Sequence, residues 1–312
     1  MDILLAQPRG FCAGVTRAIE IVERAIALHG RPVYVYHEIV HNGHVVRDLS
    51  ARGAVFVEDI EAIPAGAITV FSAHGVSNRV VERAAARGLR VIDATCPLVA
   101  KVHLQAQKYA RQGYAVVVIG HAGHEEVEGT LGCLGDDARV FLVSTLADVA
   151  ALPLAVDAPV AYVTQTTLSL DDTRELIDAL TARFPAVVGP ELDDICYATL
   201  NRQKAVRVLA READVVLVVG ARNSSNSNRL REVAIQSGVP AYLVEDAGEI
   251  DPAWLAGARR VGVTAGASAP EALVTGVRAR LTALGAGSVR TLPGPRETVK
   301  FRLPTRVALE SP

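Results

Sequence analysis

The stretch Asp93-Ala94-Thr95-Cys96-Pro97-Leu98 marks the point at which a short strand pattern gives way to a helical one. Proline is favoured at the first position of a helix, so Pro97 predicts that a helix begins directly after the cysteine. Apolar residues follow at Leu98, Val102 and Tyr109, close to the roughly 3.6-residue period of a helix. Cys96 is therefore predicted to lie between the end of a strand and the start of a helix.

The same arrangement recurs around two further cysteines, Cys12 and Cys196. Each of the three cysteines precedes a helical pattern, which is followed by a strand pattern and a polar loop. These loops begin at His41, His124 and Ser224, so the cysteine-to-loop distances are 41 − 12 = 29, 124 − 96 = 28 and 224 − 196 = 28 residues. Each unit then continues with a second strand and with a third strand that ends in another polar loop. The matching intervals indicate a threefold internal repeat.

Short apolar runs rich in β-branched residues alternate with helical patterns along the chain. The clearest runs are residues 33–36, 68–71, 116–119, 160–163, 215–219 and 261–264. This alternation predicts an α/β protein with mainly parallel sheets that are covered on both faces. We predict three pseudo-threefold-related α/β units, called repeats below, around a central site. They are residues 13–96, residues 97–195, and residues 196–290 closed by the N-terminal strand of residues 1–12, with residues 291–312 as a C-terminal tail.

The composition is that of a folded protein. Of 312 residues, 50% are hydrophobic and 21% are charged, and the formal net charge is −2. This balance excludes a disordered chain and argues against general nucleic-acid binding. The longest apolar runs have strand length, well short of the roughly 18–20 residues that span a bilayer. The first residues lack the basic segment and cleavage site of a secretory signal, so we expect a soluble, cytoplasmic protein with no membrane partner.

The cysteines of the repeat are candidate metal ligands. Ligands of open parallel sheets bind at the carboxyl ends of the strands, and Cys12, Cys96 and Cys196 all occupy such positions. Three convergent thiolates suit an iron–sulfur cluster or a three-cysteine zinc site, and the pattern leaves both open. Cys133 has no repeat position and is predicted to be a buried packing residue.

The polar loops supply hydrogen-bond donors around the same centre, which favours a phosphate or diphosphate ligand. Only 4% of the residues are aromatic, so there is little for a nucleotide base to stack on. Neither a GxxxxGK[ST] loop nor a GxGxxG after the first strand is present, which weakens a nucleotide ligand further. The candidate substrate-binding residues are His41, His74, His124, Thr166, Ser224, Ser225, Asn226 and Ser268.

Glu126 is the candidate general acid, because it is a carboxyl group at a loop position that the repeat directs to the centre. Thiolates and a diphosphate nearby favour a protonated carboxyl, as a general acid requires. Thr166, at a strand end of the second repeat, could hydrogen-bond Glu126 and relay the proton.

At these residues the sequence resembles the 4-hydroxy-3-methylbut-2-enyl diphosphate reductases, the last enzymes of the methylerythritol phosphate (non-mevalonate) route to isoprenoids. The similarity spans residues 8 to 270. The stretches that carry it are Pro8-Arg9-Gly10-Phe11-Cys12-Ala13-Gly14-Val15, His37-Glu38-Ile39-Val40-His41-Asn42, Ser72-Ala73-His74-Gly75-Val76-Ser77, Asp93-Ala94-Thr95-Cys96-Pro97, Gly123-His124, Glu126-Val127-Glu128-Gly129-Thr130, Thr164-Gln165-Thr166-Thr167-Leu168-Ser169, Asp194-Ile195-Cys196-Tyr197-Ala198-Thr199, Asn223-Ser224-Ser225-Asn226-Ser227-Asn228 and Thr264-Ala265-Gly266-Ala267-Ser268-Ala269-Pro270.

The resemblance implies one [4Fe–4S] cluster with Cys12, Cys96 and Cys196 as ligands, and one open iron that binds the substrate hydroxyl. Such a cluster is expected to lose iron to a [3Fe–4S] form after oxidation. Two electrons and two protons would convert the allylic diphosphate substrate to isopentenyl or dimethylallyl diphosphate and water. The resemblance makes Glu126 the proton donor and Thr166 the residue that contacts the hydroxyl. It implies that the remaining candidates bind the diphosphate, and that a ferredoxin or flavodoxin supplies the electrons.

Two positions depart from the family pattern. Glu125 stands where proline is expected, and Cys133 is not a family position; neither is expected to touch a predicted ligand. Two other functions fit parts of the pattern. One is a zinc hydrolase that uses the three thiolates on a phosphorylated substrate. The other is a non-catalytic diphosphate-binding protein in which the cysteines are core residues.

Overall fold

A computed structural model describes residues 1–190 and 194–308, which fold as two compact units. Unit 1 contains Met1–Val15, His41–Val45 and Tyr197–Lys300, and unit 2 contains the described residues of Thr16–Val40, Val46–Cys196 and Phe301–Pro312. Residues 191–193 of the second predicted repeat and 309–312 of the predicted tail lie outside the described residues. The three repeat boundaries themselves stay a prediction.

Strands and helices alternate along nearly the whole chain. The strands are β1 Asp2–Leu5, β2 Val33–Tyr36, β3 Ala54–Val57, β4 Ile68–Phe71, β5 Arg90–Asp93, β6 Ala115–Ile119, β7 Val140–Val143, β8 Val160–Thr164, β9 Val215–Val219, β10 Ala241–Val244, β11 Arg260–Ala265 and β12 Ser288–Thr291. The helices are α1 Ala13–His29, α2 Gly43–Arg52, α3 Asn78–Ala86, α4 Pro97–Arg111, α5 Glu125–Gly132, α6 Leu146–Ala151, α7 Leu170–Arg183, α8 Tyr197–Ala210, α9 Ser225–Gln236, α10 Glu271–Ala283 and α11 Thr305–Ala308.

Unit 1 contains a five-stranded sheet in the order β10-β9-β11-β1-β12. Every neighbouring pair is parallel, and β1 lies between β11 and β12. Leu4, for example, is in register with Gly262 on one side and Arg290 on the other. The strand nearest the N-terminus is thus interior to a sheet whose other strands come from residues 215–291.

Unit 2 contains two smaller parallel sheets, a four-stranded one in the order β3-β2-β4-β5 and a three-stranded one in the order β7-β6-β8. Together with the sheet of unit 1, they make an α/β protein with three parallel sheets. The predicted fold class is therefore confirmed.

Strands β6 and β9 are continuously apolar and buried throughout, as expected of parallel strands that are covered on both faces. In β1, Ile3 and Leu5 pack with Leu217 on one face, whereas Leu4 packs with Val218 on the other. Each of these side chains is at most 3% exposed. Burying a side chain of this size stabilises the fold by about 1.5–3 kcal/mol relative to leaving it in water.

Two features concern the chain as a whole. Residues 292–304, all of them described, contain neither helix nor strand and connect β12 to the short helix α11. Across residues 1–190 and 194–308, no helix has both the length and the apolar character that crossing a bilayer requires.

Candidate active site

Each cysteine of the repeat donates a backbone hydrogen bond to one of the predicted polar loops. The backbone N–H of each cysteine donates to a carbonyl of the loop that follows a third strand. The bonds run from Cys12 to Ala267 (3.2 Å), from Cys96 to Ala73 (3.0 Å) and from Cys196 to Thr166 (3.0 Å). The first lies in unit 1 and the other two in unit 2. Three separate segments therefore repeat the same backbone contact at the end of a parallel strand.

The three thiols sit at helix starts, where backbone N–H groups stabilise a thiolate. Helix α4 begins at Pro97 directly after Cys96, and α8 begins directly after Cys196. At Cys12, the backbone N–H of Val15 points to the sulfur at 3.5 Å. All three cysteines are partly exposed, and they form no disulfide among the described residues. Partly exposed thiols at helix starts are a soft donor set that suits iron or zinc.

Cys133 is buried in the core, unlike these three partly exposed cysteines. It is 4% exposed, it packs in a core cluster with Val102 and Ala106, and its thiol donates to the carbonyl of Thr130 at 3.1 Å. Burial raises the pKa of the Cys133 thiol to about 11, so it stays protonated at neutral pH. Cys133 is a packing residue, as its position outside the repeat predicted.

Glu126 and Thr166 form a buried pair in unit 2. The Thr166 N–H donates to one carboxylate oxygen of Glu126 at 2.6 Å, and the Thr166 hydroxyl donates to the other at 3.1 Å. Glu126 is 3% exposed and Thr166 is 5% exposed. Burial favours the protonated carboxyl, whereas the two hydrogen bonds favour the carboxylate. The backbone N–H of Cys196 in turn donates to the carbonyl of Thr166. Thr166 therefore links the carboxyl group of Glu126 to a candidate metal ligand.

The two predicted histidines of unit 2 lie together. The rings of His74 and His124 meet edge to face, with centroids 6.0 Å apart. His124 is the N-cap of α5, where its Nδ1 accepts a hydrogen bond from the backbone N–H of Glu126 at 3.1 Å. Since Nδ1 acts as the acceptor, the neutral ring carries its proton on Nε2, which is then the atom able to donate to a ligand.

Glu125 contacts one of the predicted substrate-binding residues, contrary to expectation. Its carboxylate lies 2.7 Å from Nδ1 of His74 and 4.0 Å from Nδ1 of His37. His37 is also 2.6 Å from the carboxylate of Glu58, and it adopts a left-handed backbone conformation with φ of 61°. Glu125 further lines a cavity of about 940 Å³ in unit 2. The sequence showed that glutamate replaces the proline expected at position 125. It did not show the contact with His74, which depends on where α5 begins.

In unit 1 the predicted residues come together around two loops. The hydroxyl of Ser268 donates to the carbonyl of His41 at 2.9 Å, and the side chain of Asn223 lies 3.5 Å from Nδ1 of His41. Asn42, which the sequence analysis did not single out, is 2% exposed. Its side-chain oxygen accepts from the N–H groups of His44 and Val45, so it caps α2 directly after His41.

The start of α9 supplies the neutral donors of unit 1. Ser224 is the N-cap, and its hydroxyl oxygen accepts from the N–H of Ser227 at 3.3 Å. The side-chain oxygen of Asn226 accepts from the N–H of Ala267 at 2.8 Å. The other end of that amide, Nδ2, is buried and has no hydrogen-bond partner among the described residues. Ser225, the first residue of the helix, is half-buried. A buried amide donor of this kind fits a ligand oxygen.

A family model described as LytB protein matches residues 3–282 of the chain. The chain belongs to the LytB protein family. LytB relatives described as 4-hydroxy-3-methylbut-2-enyl diphosphate reductase include one from Bordetella pertussis, 61% identical over 303 residues, which covers 97% of this chain and 93% of the relative. Another, from Burkholderia pseudomallei, is 59% identical over 307 residues and covers 98% of this chain and 97% of the relative.

Solved structures agree with the LytB assignment. One, described as the E-1-hydroxy-2-methyl-but-2-enyl-4-diphosphate reductase from Plasmodium falciparum, is 36% identical with a TM-score of 0.92, and the match covers 98% of this chain and 96% of that chain. A second, described as (E)-4-hydroxy-3-methyl-but-2-enyl diphosphate reductase, the terminal enzyme of the non-mevalonate pathway, is 33% identical with a TM-score of 0.63 and covers 91% of this chain. The family resemblance seen in the sequence is confirmed.

Proposed function

We propose that this chain is an iron–sulfur oxidoreductase of the cytoplasm. It converts (E)-4-hydroxy-3-methylbut-2-enyl diphosphate to isopentenyl diphosphate and dimethylallyl diphosphate, the last step of the methylerythritol phosphate route. The observation that carries the proposal is the chain of contacts from Glu126 through Thr166 to Cys196. It links a buried carboxyl group to a thiol suited to metal, which is the pairing that reductive removal of a hydroxyl group needs.

Cys12, Cys96 and Cys196 would hold one [4Fe–4S] cluster. When bound, such a cluster would pass electrons to the substrate one at a time and would offer an iron with no protein thiolate that can take the substrate hydroxyl. The donor chemistry supports this choice, because all three thiols are partly exposed at helix starts while Cys133 is buried and protonated. A ferredoxin or flavodoxin is the proposed source of the electrons.

The diphosphate would be bound by side chains that donate hydrogen bonds. Asn226 offers a buried Nδ2 that the described residues leave without a partner, and His124 offers Nε2. Charge-assisted hydrogen bonds to a phosphate contribute about 1.5–3 kcal/mol each, so loss of one histidine should weaken binding measurably. The full proposed set is His41, His74, His124, Ser224, Ser225, Asn226 and Ser268.

Glu126 would deliver the proton that lets the hydroxyl group leave as water. Hydroxide is a poor leaving group, so carbon–oxygen cleavage requires protonation of that oxygen. Thr166 orients the carboxyl group through two hydrogen bonds and is proposed to contact the same hydroxyl. In total, two electrons and two protons are consumed; one proton leaves in water and the other adds to carbon.

The experiment is to purify the protein without oxygen and to measure iron, sulfide, zinc and the visible spectrum. Single-turnover conversion with a strong artificial reductant then tests the reaction itself. We expect iron and sulfide in equal amounts and formation of both products. Replacement of Cys12, Cys96 or Cys196 by Ser should remove most of the iron and nearly all activity, whereas Cys133→Ser should retain both. Stoichiometric zinc with hydrolysis of the substrate would instead identify a hydrolase, and binding of the diphosphate without turnover or metal would identify a binding protein.

A further inference from the structure

A cation on α1 reaches the loop that leads to Cys96. The guanidinium of Arg17 donates from one nitrogen to the carbonyls of Ala94 (3.2 Å) and Thr95 (3.0 Å), the two residues directly before that cysteine. Another nitrogen donates to the carbonyl of Arg302 at 2.8 Å. Burial lowers the pKa of Arg17, and the charges of Cys96 and Asp93 oppose the lowering, so the cation and the thiol act on each other electrostatically.

A second cation, on α8, makes the same kind of contact with the loop that leads to Cys12. The Arg202 guanidinium donates to the carbonyl of Gly10 at 3.1 and 2.7 Å and to that of Phe11 at 3.3 Å. Arg202 is 0% exposed, and it pairs with Glu297 at 3.1 Å. Gly10 has a φ of +70°, and a Cβ added there would lie 3.2 Å from the carbonyl oxygen of Ala269. The loop therefore needs glycine, and the arginine holds its carbonyl in place.

The third cation also contacts the loop that leads to a cysteine, but at a longer distance. Lys101, on α4, has its Nζ 4.0 Å from a carboxylate oxygen of Asp194, two residues before Cys196. The other carboxylate oxygen of Asp194 accepts from the N–H of Thr164 at 3.3 Å, which ties it to the end of β8. The lysine side chain is 48% exposed while that of Asp194 is 0% exposed, so the contact joins a buried carboxylate to a partly exposed ammonium group.

The three cations occupy matching places in the repeat. They follow the cysteine before their own helix by 17 − 12 = 5, 101 − 96 = 5 and 202 − 196 = 6 residues. Each one contacts the loop that leads to a different cysteine: the helix after Cys12 serves Cys96, the helix after Cys96 serves Cys196, and the helix after Cys196 serves Cys12. Each contact lies within one unit.

We propose that Arg17, Lys101 and Arg202 are positioning residues, each of which holds one cysteine loop in the conformation that binds metal. The inference rests on the proposed function, since metal at these cysteines is what the residues would retain. A planar guanidinium that donates to two successive carbonyls restricts the backbone just ahead of the thiol. Its positive charge also offsets the charge of a bound thiolate. Groups that orient metal ligands in this way affect metal affinity by about 10–100-fold.

The test uses Arg17, because it is only half-buried and its replacement spares the core. The rate of metal release to a chelator is measured for the anaerobically reconstituted wild type and for Arg17→Gln, Arg17→Lys and the control Arg24→Gln. Arg24 is on the same helix, and among the described residues its ion pair is the local one with Glu20 at 3.0 Å. We expect Arg17→Gln to release metal on the order of tenfold faster or more. We expect Arg17→Lys, which keeps the charge, to lie between Arg17→Gln and the wild type, and Arg24→Gln to match the wild type. Release from Arg17→Gln at the wild-type rate would overturn the proposal.

Arg202 is tested by comparison with its ion-pair partner, because its removal alone endangers the fold. Arg202→Lys and Glu297→Gln are each assayed for urea unfolding and for metal release. Both changes should lower the unfolding midpoint, but only Arg202→Lys should speed metal release severalfold, since Glu297→Gln leaves the arginine's bonds to Gly10 and Phe11 available. Equal acceleration in the two variants would mean that loss of stability alone explains the release, and would refute a positioning role.

The same measurements separate this proposal from the proposed function. Metal release is followed whichever metal the wild type binds, with iron and zinc quantified separately. A wild type that binds neither metal contradicts the proposed function. A wild type that binds iron and reduces the substrate, together with an Arg17→Gln variant that keeps its iron equally well, contradicts the positioning role alone.

Discussion

Glu126 in unit 2 and Asn226 in unit 1 occupy matching places and differ in chemistry. Each stands two residues after the N-cap of a helix, His124 for α5 and Ser224 for α9. Glu126 is 3% exposed and Asn226 is 4% exposed. Each side chain accepts a backbone N–H from a polar loop, at 2.6 Å from Thr166 and at 2.8 Å from Ala267.

The correspondence extends to the cysteines. The residue that donates to Glu126 accepts the N–H of Cys196, and the residue that donates to Asn226 accepts the N–H of Cys12. One local architecture therefore presents a carboxyl group in one unit and a carboxamide in the other. A carboxyl group can transfer a proton, whereas a carboxamide can only donate or accept hydrogen bonds. The difference is consistent with the proposed roles, proton transfer by Glu126 and neutral binding by Asn226, and each role can be tested by exchanging the two groups.

The largest effect on turnover is expected when the carboxyl group of Glu126 is replaced by a carboxamide. Glu126→Gln keeps size and hydrogen-bonding capacity but cannot supply a proton, so turnover should fall by about 10²-fold or more. Metal content and substrate affinity should change little. Single turnover with an artificial reductant measures the chemical step directly, with Glu128→Gln, an exposed neighbour on α5, as the matched control. Wild-type rates in Glu126→Gln would place the proton donor elsewhere.

The reciprocal change should affect binding instead. Asn226→Asp removes the buried Nδ2 donor and places a carboxylate at the proposed diphosphate site, so substrate affinity should fall by roughly 10–100-fold. Asn226→Ala, which removes the donor without adding charge, should weaken binding less. Calorimetric titration of both variants with the diphosphate provides the comparison. If turnover at saturating substrate collapsed while affinity held, the division between the units would be wrong.

A smaller effect is expected at Glu125. Its carboxylate is partly exposed and lies 2.7 Å from Nδ1 of His74. Such a contact contributes about 0.2–1 kcal/mol even when both groups are charged, so Glu125→Gln should raise the KM for substrate by no more than about fivefold. The turnover number should stay within about twofold of wild type, since Glu126 is unaltered. Steady-state kinetics decide the point, and a larger fall in turnover than in affinity would mean that Glu125 takes part in proton transfer.

The smallest effect concerns Cys133, which lies outside the repeated architecture. Cys133→Ser should change the free energy of unfolding by about 1 kcal/mol and leave metal content unaltered. The thiol ionises at 9.0 when unfolded and at about 11 in the fold, so the unfolded chain releases its proton first as the pH rises. The wild type should therefore lose on the order of 1 kcal/mol between pH 9 and 10, and the variant should lose less. Urea unfolding at the two pH values measures the difference, and identical losses would contradict it.

Sequence periodicity was enough to predict the parallel α/β sheets and the position of each cysteine before a helix, because strand burial and helix starts leave local signals. The hydrogen bond between Thr166 and Glu126 was also anticipated, whereas the roles of the two stay predictions. Arg202 could not be anticipated, since arginine is rarely fully buried and its partner Gly10 is 192 residues away. The contact of Glu125 with His74 was missed for a similar reason: it joins the start of α5 to the loop after β4, which follow strands of two different sheets, so local sequence does not indicate their proximity.

The interior place of β1 has a consequence for biosynthesis. Its partner β11 begins 260 − 5 = 255 residues after β1 ends. At about 5–20 residues per second, a ribosome needs roughly 13–50 s to synthesise that interval. Throughout this time the nascent segment around Cys12 lacks its neighbouring strands and Ala267, and until residue 202 has been synthesised it also lacks Arg202. Loading of metal at Cys12 should therefore follow translation, and a pause or truncation before β11 should leave this segment open to oxidation and proteolysis.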